Sequence, residues 1–316
     1  MRAPTTTRAA VAFAAIIAAM LSILALAGSA SAVTLKGEWA PFNRCPVDDP
    51  SMLATNIFEE TVSVCLAVDS PKGSIKIGNL SAVTGPSNTQ MGVLGSGGGA
   101  QFSPVNPPTG AISATPLVIP GGLVGLVCPK GADFKGDICR SAGKRAPRLN
   151  VVTSTLESAG TPSNFAIFAA LEPGQRIVTL PAKLHLQNPL LGPKCYIGSN
   201  EHPILLQPAT VVPPEGSIVL FGADGTVSEG EEGLIFDAVF SHTSQADTTF
   251  AVGKAKGCGV NSYLDAAINH TLGLPSPAGN NSMTLEEVTS SLIGLNVPTQ
   301  TDGKDLSAYW HGAVTG

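Results

Sequence analysis

From Thr61 to Val68 the chain reads TVSVCLAV, with Val62, Val64 and Leu66 alternating against Thr61, Ser63 and Cys65. Alternation with a period of two over so short a run marks a half-buried strand. DSPKG follows as a turn, and SIKIGNL alternates again through Ile75 and Ile77, so the two runs predict a hairpin. The texture continues in AISATPLVI, LNVVTSTLES, RIVTLPAKLHLQ, PILLQPATVV, GSIVLFG, LIFDAVFSHTS and TTFAVGKA. Prolines inside several of these runs mark edges, bulges or strand ends, because proline has no amide proton for a ladder. Short strands punctuated throughout by glycine and proline predict an all-β fold: an antiparallel, sandwich-like domain.

Two stretches break the pattern. Residues 85–116, including GSGGGAQFSPVNPPTG, are poor in periodic apolar positions and read as a long surface loop rich in glycine and proline. Residues 262–293 read as short helices, a C-terminal appendage to the β body. Leu264, Ile268 and Leu272 stand at helical spacing, with Gly273 and Pro275 as stops. In TLEEVTSSLIGL, Thr284 and Glu287 have the spacing of a capping box ahead of Val288 and Leu292. Nearer the start, Asp49 before Pro50 reads as a helix cap with proline at the first helical position.

The first 32 residues read as an export signal. Arg2 and Arg8 open it, Ala9 to Ala27 carries no charge, and Ala30-Ser31-Ala32 offers the small residues that a signal peptidase reads. Cleavage after Ala32 leaves residues 33–316 as a single secreted β-rich domain. Losing two arginines moves the net charge from -5 to -7. Charged residues are only 13% of the chain and form no basic stripe, so nucleic acid is a poor partner. No second apolar run approaches membrane-spanning length, so no membrane contact is expected once the signal is gone. Export also changes how the six cysteines are read. In an oxidising compartment an even count implies disulfides, and pairing in sequence order gives Cys45–Cys65, Cys128–Cys139 and Cys195–Cys258.

Candidate chemistry is sparse. Cys195, Glu201 and His202 lie close together, as a metal site or a catalytic dyad would. The bland reading is a disulfide anchor beside a polar turn, and it is favoured here. No G-x-S-x-G elbow, phosphate-binding loop or H-E-x-x-H occurs. Glu229, Glu231 and Glu232 lack the alternating oxygen ligands of a calcium loop. Arg140, Lys144, Arg145 and Arg148 read as an exposed basic loop. No catalytic residue, cofactor or metal is expected. A hydrolase of wall or environmental polymer would have to gather dispersed groups such as Asp237, His242 and Asp247. A glycan-binding module would need Trp39 and Trp310 exposed and together.

PLLGPKCYIGSNEHPILL and the later GCGVNSYLDAAINHTLGLPSPAGNNS, with the early GEWAPFNRCPVDDP, resemble uncharacterised exported proteins of high-GC Gram-positive bacteria. The likeness runs from Gly37 to about Ser291. It implies export and a single structural unit, and carries no activity with it. The expectation is a secreted, non-enzymatic protein with an interaction or surface-structural role, its partner a cell-wall or extracellular polymer.

Overall fold

The structure is a computed structural model that describes residues 33–99, 101–128, 147–227 and 234–315. Thr34–Gly316 forms one compact unit. Its first strands are β1 (Thr34–Leu35), β2 (Val62–Ser70), β3 (Lys72–Ile77), β4 (Leu80–Thr84), β5 (Ser87–Ser96), β6 (Gln101–Val105), β7 (Ile112–Ala114) and β8 (Leu117–Val118). Then come β9 (Thr153–Ser158), β10 (Leu180–Gln187), β11 (Tyr196–Ile197), β12 (Ile204–Leu206) and β13 (Ala209–Val212). The last are β14 (Glu215–Phe221), β15 (Ile235–Asp247), β16 (Ala255–Lys256), β17 (Ser282–Leu295) and β18 (Val314–Thr315).

The fold is all-β, antiparallel and sandwich-like. A ten-stranded sheet runs β13-β15-β17-β2-β5-β6, with β14, β3, β4 and β7 attached at its sides. A six-stranded sheet runs β16-β11-β10-β9-β8, with β12 also on β10. Val64, Leu66, Met91 and Val93 from the large sheet and Leu180, Ala182, Leu184 and Leu186 from the small one share a single apolar core. Each leucine fully buried there contributes roughly 1.5–3 kcal/mol. In β10 the even positions from Leu180 to Leu186 face this core, which leaves Lys183 and His185 on the outer face.

The large sheet is covered on its second face too. Ser63, Cys65 and Ala67 of β2 are buried there beneath the two ends of the chain. A 3-10 turn, Gly37–Phe42, brings in Trp39 and Phe42, and the one-turn helix Pro50–Leu53 brings in Met52. The helix Asp302–Gly312 adds Leu306 and Trp310. The Cys45–Cys65 disulfide pins the N-terminal segment to β2, and Trp310 Nε1 donates to the Phe42 carbonyl at 2.9 Å. Asp49 caps the short helix as expected, accepting from the Ser51 amide at 2.9 Å ahead of Pro50. The helix read from Leu264, Ile268 and Leu272 is also present, over Asp265–Leu272, and Gly273 ends it at φ 67°.

Three expectations are corrected. The loop assigned to 85–116 contains β5, β6 and β7, and β5 lies centrally between β2 and β6. Gln90 to Val93 is buried on both faces, so no alternation shows. Gly92 is there because a side chain would strike Met52: a Cβ would lie 2.2 Å from its Sδ. Glycine marks close approach at this point, not slack. The capping box at Thr284 and Glu287 is not a helix start, since both residues belong to β17, the longest strand. Glu287 sits at φ 52° where the register with β15 slips, and that bulge spoils the period of two. Finally, β2 and β3 do not form a hairpin with each other. Both pair with β17 as successive stretches, β2 through 289–293 and β3 through 282–286. The hairpin is β3–β4, turned at Gly78-Asn79 with Gly78 at φ 54°.

Candidate functional site

The dispersed hydrolase residues do not converge. Asp237, His242 and Asp247 all lie on β15, whose rise puts the two aspartates roughly 30 Å apart. Asp247 is buried and caps backbone, accepting from the amides of Gln207 at 2.6 Å and Thr249 at 2.7 Å. His242 is exposed at a bulge with φ 57°, its Nδ1 3.4 Å from Glu215. Asp237 is 2% exposed on the large sheet, with Oδ1 unpartnered among the described residues. Burial, with a lesser contribution from the Glu38 charge, pushes its carboxyl up to about 7. Asp237 is therefore a buried acid held towards its neutral form.

The glycan platform also loses its residues. Trp39 is 0% exposed and packs edge-on against Phe221, and Trp310 is 6% exposed. The chain ends do meet, through β1 and β18, but they bury both indoles. Glu229, Glu231 and Glu232, along with Arg140, Lys144 and Arg145, lie outside the described residues, as does Cys139. Cys128 is disulfide-bonded. Among the described residues no group of three His, Cys, Asp or Glu side chains could hold a metal.

Among the described residues, serine, histidine and aspartate do meet at one place. Asp48 accepts from Ser307 Oγ at 2.9 Å and contacts His311 Nε2 at 2.9 Å. The serine bonds the acid rather than the imidazole, so the imidazole is not placed to take its proton. Those contacts dock the C-terminal helix. The His311 hydrogen bond leads in holding the Asp48 carboxyl below its ordinary range.

A more coherent constellation stands on the outer face of the small sheet. Cys195 bonds Cys258, with the two Cα atoms 4.2 Å apart, so Lys194 and Tyr196 come beside Lys256 and Gly257. The resulting cleft, of about 670 Å3, is lined by Lys183, Lys194, Lys254, Lys256, Tyr196, Glu201 and His202 with the backbone between them. Strand register sets the floor: His185 is opposite Tyr196, and Tyr196 is opposite Lys256. The His185 ring stacks on Tyr196 at 4.3 Å and 16°, and its Nδ1 meets Glu157 at 3.1 Å. Lys183 Nζ lies 5.0 Å from the Tyr196 ring centre and donates to Asn200 at 2.9 Å. Burial, then the Glu157 charge, raises the Tyr196 phenol. The floor is thus a locked aromatic pair, and the rim holds four lysines and Glu201, with Glu157 ion-paired to Lys183 at 3.8 Å. Such a surface attracts and orients anions.

Glu201 and His202 do belong to a polar turn, closed by His202 N–H on Ser199 Oγ and Ser199 N–H on the His202 carbonyl, both at 3.0 Å. The turn also forms one wall of the cleft, which the sequence reading missed. So were Lys183, His185, Lys254 and Lys256. A usable signal existed in the expected Cys195–Cys258 bond, because it places Lys194 beside Lys256. No family model, curated protein or solved structure matches this chain.

Proposed function

We propose that this protein is a secreted, non-enzymatic binding protein whose lysine-lined cleft holds an anionic polymer at or beyond the cell surface. The observation that carries this reading is four lysines gathered around Tyr196 in a chain of net charge -5. In a chain of net negative charge, a positive concavity draws polyanions to itself and so selects orientation as well as charge. Ammonium groups act as point charges and take carboxylate or phosphate alike. Export is supported by the N-terminal signal pattern, by the disulfides and by the resemblance to exported proteins of high-GC Gram-positive bacteria. Among the described residues no helix is long and apolar enough to cross a membrane.

Calorimetric titration of the chain from Val33 with polygalacturonate, polyphosphate and neutral dextran tests the cleft. Both polyanions bind at about 50 mM salt and are largely released at about 300 mM, while dextran does not bind. Lys194→Gln, Lys254→Gln and Lys256→Gln together weaken binding about tenfold, at roughly 0.5 kcal/mol for each exposed pair. Dextran binding as tightly, or the triple variant binding like the parent, would refute the proposal. Recovery of the protein from the culture medium with Val33 at its N-terminus tests export, and recovery only from cytoplasm sinks it.

A further inference from the structure

A second concavity lies between the large sheet and the segment from Phe165 to Ile177, on the core side of β15, β17 and β2, and its chemistry is the reverse of the lysine cleft. Its volume is about 240 Å3. The floor consists of two register rows across three strands: Val68, Ser290 and Phe240 in one, Leu66, Leu292 and Ala238 in the other. The segment from Phe165 to Ile177 covers it, with Ile167 and Phe168 among the lining residues. Phe168 is 67% exposed and Leu171 43% exposed, so apolar surface continues out to the mouth. No ionisable side chain lines the space.

Gln245 gives this cavity a direction. The bulge at His242 inserts one residue between the Phe240 and Thr243 pairs, which reverses the parity of β15 and lets Gln245 line the same space as Ala238 and Phe240. Gln245 is only 7% exposed as a residue and makes no side-chain hydrogen bond among the described residues, while lining the cavity with its carboxamide not fully buried. A carboxamide that opens on an apolar cavity has few partners there, and a ligand group that bonded it would gain a hydrogen bond shielded from bulk water. An apolar cavity of roughly 150 Å3 is enough to stay dry and take up benzene. This one is larger and carries a polar handle.

We infer that the groove binds a small, uncharged, mainly apolar molecule bearing one hydroxyl or carbonyl group, which pairs with Gln245. A charged ligand is disfavoured, because its charge would be desolvated with no counter-charge to meet it. The site is separate from the lysine cleft and does not depend on the function proposed for it.

Fluorescence titration with naphthalene, 2-naphthol and 2-naphthoate tests the inference. Both neutral compounds saturate the protein, 2-naphthol about fivefold tighter than naphthalene because of its one extra neutral hydrogen bond. The carboxylate binds weakest. Gln245→Leu abolishes the preference for 2-naphthol and keeps naphthalene binding. Ala238→Phe fills the floor and removes both; should it fail to fold, Phe168→Ala at the exposed rim weakens both instead. Lys194→Gln with Lys254→Gln and Lys256→Gln leaves all three affinities unchanged. Overturning results are no saturable binding to the folded parent, tightest binding of 2-naphthoate, or a 2-naphthol preference that survives Gln245→Leu.

Discussion

Asp237 offers a quantitative test of how fully the second face of the large sheet is covered. The residue is 2% exposed, its Oδ1 is unpartnered among the described residues, and burial pushes its carboxyl from the ordinary 3.8 up to about 7. The folded state therefore prefers the protonated acid. Between those two values the folded chain holds a proton that the unfolded chain has released, so stability falls as pH rises. The loss is absent below pH 3.8 and complete above about pH 7. Three units at about 1.4 kcal/mol each amount to about 4 kcal/mol. Asp237→Asn has nearly the same shape as the neutral acid and cannot ionise. Urea unfolding of parent and variant at pH 4, 6 and 8, compared at equal m-values, isolates this group from every other titration. The variant matches the parent at pH 4 and gains progressively up to about 4 kcal/mol at pH 8. A gain that does not vary with pH, or a variant less stable at pH 8, refutes the reasoning.

Two further outcomes follow from packing and cross-links. Cys195→Ala with Cys258→Ala opens a loop of sequence separation 63 and costs about 4 kcal/mol in the chain-entropy account, read by urea unfolding. The same double variant weakens polyanion binding, because Lys194 and Lys256 lose the bond that holds them side by side; unchanged affinity would detach the cleft from the disulfide. Gly303→Ala places a Cβ 1.8 Å from the Met52 carbonyl oxygen, and thermal unfolding should show a loss of about 1–3 kcal/mol. A melt identical to the parent's would mean that the C-terminal helix does not seat as described.

The sequence carried the fold class because most strands bury one face. The β10 run from Leu180 to Gln187 shows clean alternation and was legible for that reason. Where both faces are buried, as at Gln90 to Val93, hydrophobic period vanishes and glycine mimics a loop. Where a bulge intervenes, as at Glu287, the period of two slips towards the spacing of a helix. The misread hairpin has a different cause: Pro71 looks like a turn, but the partner of both flanking runs is β17, more than two hundred residues away. The anchor role of Cys195 was legible from cysteine parity. The cleft around it was not, because register, not order along the chain, sets Glu157 and Lys183 side by side and Tyr196 beside Lys256.

The seam between β1 and β18 has a bearing on when the protein can finish folding. Thr34 receives its bond from Thr315 across 281 positions, and Phe42 receives Trp310 across 268. Whether the chain emerges from a ribosome or through a translocation pore, its first folded residues must wait for these late ones. Until then the part of the large sheet that the C-terminal helix covers lacks Leu306 and Trp310. Contacts this distant along the chain make folding slow, because the intervening loop must close before they form.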